Sequence, residues 1–309
     1  MIENYSKLNS SFKRKFIFNF GYNAGFYSEF NNMVLAIIYC LENGYQFILY
    51  SKDAKFCIDK GWTDYFMPFC PETRNSINHF INRRRIKSDF ISIIRSLLIY
   101  IYKLFIRDTF FTSDLWDYFH SREMENKKYN FPELGIYGED LRTTCGKIVS
   151  MIYKFEPKTK SLLISIQHSI EMPNNYVGFH IRRGDKFIET DEISLDKYID
   201  KANFITDIRT AFVLTDDYDV ILLLKRQYKD WIFYTLTNTS EHGYVFKKSI
   251  SKSPNEKKHE MIKLFASIQY LQDSNFFIGT FSSNPGMFLG MVKTSSSTFG
   301  VDLNNWQIW

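Results

Sequence analysis

The second half of the chain alternates short apolar runs with segments of helical period, and few folds accept that order. Asn175–Ile181, Thr210–Thr215, Trp231–Leu236 and Asn275–Thr280 read as strands. Between them lie Ser194–Thr206, Asp217–Tyr228 and Glu256–Leu271, with a further helix opening in SSNPGMFLGMV. Ser194 offers a side-chain cap, and Asp217–Tyr228 carries acids at its start and bases at its end, as the helix dipole favours. Strands that alternate with helices need crossover connections, so the pattern predicts a parallel, doubly wound α/β sheet.

The first half begins in the same way. Lys15–Phe20 reads as a strand, the glycine-containing GYNAGFYSEFNN as a turn, and NNMVLAIIYCLENG as a helix with a glycine stop. Tyr45–Tyr50 follows as a second strand. The reading is two α/β domains, 1–165 and 166–309, joined near the proline and charges of KFEPKTK. Phe90–Phe111 is the most apolar stretch and is long enough to span a bilayer. Arg95, Lys103 and Arg107 interrupt it, at about 2.5–3.5 kcal/mol each on insertion, which argues against spanning. It is read as a core helix of the first domain or as an interfacial helix against anionic lipid.

Composition narrows the partners. The 309 residues hold 39 Lys and Arg against 34 Asp and Glu, a net +5 that suits an anionic ligand or membrane surface and is too weak to indicate nucleic acid. Aromatic residues are abundant: 30 Phe dominate over 20 Tyr and 5 Trp, which favours core packing over sugar-stacking surfaces. Cys40, Cys57, Cys70 and Cys145 form no C-x-x-C pair and are read as reduced thiols. No apolar leader is visible at the N-terminus, so the sequons at Asn9 and Asn238 are read as coincidental and the expected location is cytoplasmic, with the inner face of a membrane as a peripheral option.

In open α/β sheets, ligands bind beyond the carboxyl ends of strands. After Ile181 comes Arg182-Arg183-Gly184-Asp185-Lys186. After Leu214 comes Thr215-Asp216-Asp217. After Gly279 comes Thr280-Phe281-Ser282-Ser283, and after Phe20 the Gly21/Gly25 turn. Arginine at a strand exit offers a planar fork of donors for a phosphate, and alternation puts His180 and Arg182 on one face with Arg183 on the other. Ser282 or Ser283 can cap the following helix while backbone N–H groups meet an anion. Asp217-Tyr218-Asp219 forms a D-x-D, a pattern that holds Mn²⁺ or Mg²⁺ in metal-dependent glycosyltransferases, but its place in a first helical turn also suits acids without a metal.

VGFHIRRGDK, then VLTDD, then FIGTFSS, in that order, resembles the fucosyltransferases that share an H-x-R-R-x-D-K motif. Core α-1,6-fucosyltransferases and Nod-factor fucosyltransferases are the nearest in pattern, and α-1,2-fucosyltransferases are more distant. The likeness covers roughly Tyr176 to Val292, with GFYSEFNN similar to the family's glycine loop. It implies a GT-B-like arrangement of two Rossmann-like domains facing a cleft, a GDP-fucose or related GDP-sugar substrate, no cofactor, no metal, and inversion at the sugar carbon. Arg182 is then implied to bind the diphosphate and His180 to lie near the nucleotide. Asp185 and Lys186 would order the loop, with Arg183 beside them, and Asp216 and Asp217 would position arginines or ribose. Gly25, Tyr27 and Ser28 would line the phosphate loop, and Ser282 and Ser283 would contact phosphate. Where the family reads guanine with an acid, this chain carries Ser267. Glu189 is the first candidate for the catalytic base, with Asp191 or Glu192 in reserve. The expected acceptor is a glycan or lipid-linked glycan hydroxyl. Two rival readings are a metal-dependent glycosyltransferase using Asp217 and Asp219, and a non-enzymatic module binding nucleotide or polyanion.

Overall fold

A computed structural model describes residues 1–21, 24–81, 90–183, 193–243 and 253–309. They form two compact units, Met1–Glu156 and Pro157–Trp309. The sequence-based boundary at 165/166 falls inside the helix Pro157–Gln167. That helix belongs to the C-terminal unit because the Tyr270 hydroxyl donates to its last carbonyl, Gln167 O, at 2.6 Å.

The C-terminal unit contains five parallel strands, β6 (Val177–Ile181), β7 (Thr210–Thr215), β8 (Ile232–Tyr234), β9 (Phe276–Gly279) and β10 (Thr298–Gly300), in spatial order β10-β9-β6-β7-β8. The chain winds outward from β6 in one direction, then returns to its other side. This is the doubly wound order, and it puts the reversal between β6 and β9. All five residues of β6 are buried, as a central parallel strand demands. Val177, Phe179, Ile181, Ile199, Val213, Ile221 and Leu224 pack together on one side of it. The helices start where their caps are. Ser194 accepts from Asp196 N, Asp217 from Asp219 N, and Ser253 with Glu256 forms a capping box on the helix Pro254–Asp273. Strand β10, in the polar run TSSSTFG, has no apolar pattern to betray it.

The N-terminal unit has a smaller parallel sheet, β2-β1-β3, from β1 (Arg14–Asn19), β2 (Tyr45–Tyr50) and β3 (Thr109–Phe111). Its crossover helix starts at Phe26, inside the stretch read as a turn, because Gly25 holds the extended N-cap conformation. The helix ends at Asn43, where Gly44 adopts φ +67° and donates to Cys40 O. Asn9, on the first helix (Ile2–Ser11), exchanges two hydrogen bonds with the Phe47 backbone and so covers the outer edge of β2. Asn9 is 1% exposed, which removes that sequon as a glycosylation site. A two-stranded antiparallel hairpin, β4 (Tyr129–Phe131) with β5 (Ile136–Glu139), completes the strands described.

The segment Phe90–Phe111 differs from the single helix of the sequence reading. The helix stops at Phe105, and Thr109–Phe111 pairs with β1 as β3. β-Branched and aromatic residues after the Arg107-Asp108 turn favour that exchange. From Ser96 to Asp108 the segment is not a core helix, because none of those residues is buried. Among the described residues, no helix is long and apolar enough to cross a membrane.

Candidate functional site

β6 and β9 are hydrogen-bonded neighbours with His180 opposite Gly279, so their exits open side by side at the reversal point of the sheet. Arg182 leaves β6 half-buried, while His180 and Arg183 are buried on either side of it in sequence. Ser283, also buried, caps the helix Asn284–Val292 that follows β9.

Ser283 knits the two exits together. Its hydroxyl donates to Thr280 O at 2.8 Å, accepts from Gly286 N at 3.3 Å, and lies 3.3 Å from His180 Nδ1. The contact with Ser283 ties the His180 ring to the exit of β9. Gly286 is required here: a Cβ at that position would stand 1.9 Å from Thr280 O.

Arg183 is held by the unit's own backbone and by Asp216. It is 7% exposed, and its Nη1 donates to Ile193 O at 3.0 Å. Its backbone N–H donates to Asp216 Oδ1 at 2.8 Å, so the exit of β7 holds the exit of β6. Asp217 caps its helix. Ser267 lies buried on the helix Pro254–Asp273 with its hydroxyl on Lys263 O at 2.9 Å.

Two residues that the sequence reading did not single out shape this edge. Asp302, just beyond β10, accepts from Phe281 N at 2.8 Å and from Ser282 N at 2.9 Å. The backbone donors expected to face an anion after β9 are therefore engaged by a carboxylate, and the loop is braced. Without recognising β10, an acid after it could not be read as a strand-exit residue. The second is His242, paired by a β-bridge with Asp217. Its Nδ1 lies 3.8 Å from Asp217 Oδ1 and 3.7 Å from Asp219 Oδ2. One ligand atom from each of the three falls within 4.8 Å of the others, a grouping able to hold a cation or simply to form an exposed ion pair.

Gly25, Tyr27 and Ser28 lie in the N-terminal unit. Gly25 is exposed, and open space surrounds a Cβ placed there. Ser28 is half-buried at the start of the helix Phe26–Asn43. Tyr27 is buried with its hydroxyl 2.7 Å from that of Tyr153, and burial first, then the neighbouring phenol, raises its pKa well above the ordinary value. Asp185, Lys186, Glu189, Asp191 and Glu192 lie outside the described residues. The four cysteines are free thiols; Cys40 and Cys145 are buried, and burial raises the pKa of both.

No family model matches the sequence, and no curated protein matches it significantly. Solved structures do match. NodZ α-1,6-fucosyltransferase soaked with GDP-fucose superposes with a TM-score of 0.56 at 12% identity, over 91% of this chain and 92% of its own. Fucosyltransferase NodZ from Bradyrhizobium gives a TM-score of 0.50 at 13% identity, over 86% and 88%. A substituted Arabidopsis thaliana FUT1 in complex with GDP gives 0.52 at 11% identity, over 94% of this chain and 73% of its own. The α/β fold with parallel sheets matches the GT-B-like fold of these fucosyltransferases.

Proposed function

We propose that the chain is a glycosyltransferase that takes its sugar from a GDP-linked donor, with fucose as the sugar, and passes it to a glycan hydroxyl with inversion. The observation that carries this reading is the pairing of β6 with β9. The β6 exit, from which Arg182 follows, is thereby neighbour to the β9 exit, whose Ser283 caps the next helix and touches the His180 ring, where the winding reverses. The likeness in fold to structures that hold GDP-fucose or GDP adds support for the donor class.

The chemistry fits the groups. The bond between the sugar anomeric carbon and the diphosphate breaks as the acceptor oxygen bonds that carbon. The hydroxyl proton passes to a carboxylate, Glu189 in this reading with Asp191 or Glu192 in reserve. The departing GDP gains negative charge, which the Arg182 guanidinium meets, with Lys186 as a second cation. His180, held by Ser283, would lie near the nucleotide. Asp216 and Arg183 would keep the β6 exit in shape, and Asp185 the loop beyond it. The family resemblance assigns Gly25, Tyr27 and Ser28 to a phosphate loop. Asp217 and Ser267 would border the nucleotide, and Ser282 the phosphate.

Purified protein screened with GDP- and UDP-sugars tests the reading. A GDP-sugar should raise the melting temperature and release GDP slowly, whereas UDP-sugars should do neither. Arg182→Ala should lower turnover by about two to three orders of magnitude with folding intact. A folded Arg182→Ala protein with near-native turnover removes the assigned role. The Asp217–Asp219–His242 grouping favours a second reading, in which transfer depends on a divalent cation. Activity that persists in excess chelator excludes it, and activity lost to chelator and restored by Mn²⁺ replaces the metal-free mechanism.

A further inference from the structure

From Ser96 onward, the helix Phe90–Phe105 presents its apolar side to solvent. At 100° per residue, Leu97, Leu98, Tyr100, Ile101, Leu104 and Phe105 share one arc of about 160°. Their exposures run from 42% for Ile101 to 83% for Phe105. The opposite side, with Ile99, Tyr102, Lys103 and Ile106, is the partly covered one. A surface helix in a water-soluble unit ordinarily does the reverse, and six large apolar side chains on one bare arc mark a contact surface.

Charge says what covers it. Residues 82–108 carry seven Lys and Arg against two Asp, a surplus equal to the +5 of the whole chain, so the rest of the sequence is neutral. Lys103, on the covered side, is ion-paired with Asp114, while Arg107, one turn on, is exposed with no ion pair among the described residues. Both line a groove of about 560 Å³ with Tyr39, Tyr45 and Tyr118. Tyr118 on the neighbouring helix and Tyr100 on this one are both more than 60% exposed, and tyrosine is favoured where hydrocarbon meets water. An exposed apolar arc that follows in sequence on the cation-rich run Arg83 to Lys87, with Arg107 at its end and tyrosines at its level, complements an anionic bilayer surface. Sixteen residues reach about 24 Å, short of a hydrocarbon core of about 30 Å, so the helix lies in the surface and does not cross it.

We propose that the N-terminal unit docks on anionic membranes through this helix, with the apolar arc in the acyl boundary and Arg107 at the lipid phosphates. The proposal is independent of the donor assignment.

Flotation of the full chain with phosphatidylcholine vesicles, with and without phosphatidylglycerol, tests it. The protein should float with the anionic vesicles, at least about tenfold more than with neutral ones, and salt should weaken the association. Ile101→Asp/Leu104→Asp should abolish flotation, and Arg107→Glu should reduce it roughly tenfold. Leu97→Ser/Phe105→Ser, a milder pair, should reduce it too, and circular dichroism should show all variants folded. Three results overturn the proposal: wild-type protein that stays unbound with both vesicles, folded variants that float like wild type, or concentration-dependent self-association that the same substitutions abolish. The last would assign the arc to a second copy of the chain.

Discussion

In the N-terminal unit, Phe30, Trp62, Phe66 and Phe155 form a run of stacked rings, with Trp62 and Phe66 centred 4.2 Å apart. Phe20 meets the Trp62 ring edge to face, and Phe56 packs against Phe20 in turn. In the C-terminal unit the central strand is packed mainly by Val, Ile and Leu. The aromatic stack reaches from the helix Phe26–Asn43 into the long stretch after β2, whereas the aliphatic core is supplied by regular strands and helices. One unit is therefore held by loops that only a filled core keeps in place, and the other by a sheet that would form in many sequences of the same pattern. The sheet unit can spare its strand exits for binding, because its stability resides elsewhere.

Removing the centre of the stack gives the largest effect expected. Trp62 is fully buried, and its indole N–H donates to Met67 O at 2.9 Å. Trp62→Ala should cost about 3–5 kcal/mol in urea unfolding, from lost contacts, a cavity and an orphaned carbonyl. Trp62→Phe should recover much of it. A loss under about 1 kcal/mol would mean that the stack is ornament and the comparison between units is false.

Gly286→Ala probes the other unit at its site. The added Cβ meets Thr280 O at 1.9 Å, so the cap must open, and overpacking of this kind costs about 1–3 kcal/mol. Because Ser283 also touches His180, donor binding should fall further than stability does. Equal loss in both would reduce the Ser283–His180 contact to a packing detail.

This contrast also explains what could be read in advance. Val177–Ile181, Thr210–Thr215 and Phe276–Gly279 were legible because a buried parallel strand needs an unbroken apolar run, and Ser194 and Ser283 because helices need caps. His180, Arg182 and Ser283 could then be read as strand-exit neighbours. β10 and Asp302 were not legible: an edge strand of three residues needs no apolar run, and it was the fifth strand that gave Asp302 its meaning. The N-terminal stack was legible only as an excess of Phe, since residues far apart in sequence meet there without a period. β3 was hidden within an apolar stretch that also fits a helix.

Asp302→Ala should weaken binding of the GDP-sugar by about tenfold, seen as a raised KM with kcat less affected, because the loop loses two charge-assisted bonds that fix it. Asp302→Asn keeps one acceptor and should restore part of the affinity. If Asp302→Ala binds more tightly, the freed N–H groups of Phe281 and Ser282 are themselves the anion site, and the carboxylate acts as a competitor for it.

The smallest effect expected is a pH dependence in the loop that carries Trp62. Asp64 accepts from the backbone N–H groups of Ile58, Asp59, Lys60 and Gly61 at 2.7–3.1 Å. Partial burial opposes its ionisation, but the four donors outweigh burial and hold the folded pKa below the ordinary 3.8. A depressed carboxylate contributes stability that is complete above the unfolded value and disappears as pH falls through the lower folded one. Asp64→Asn should therefore lower the urea midpoint at pH 7, and the gap to wild type should close well below pH 3.8. A gap that stays constant down to that acid range would show that the loop is held by Trp62 and its neighbours alone, and the aromatic stack would then be the cause of the loop's shape as well as its consequence.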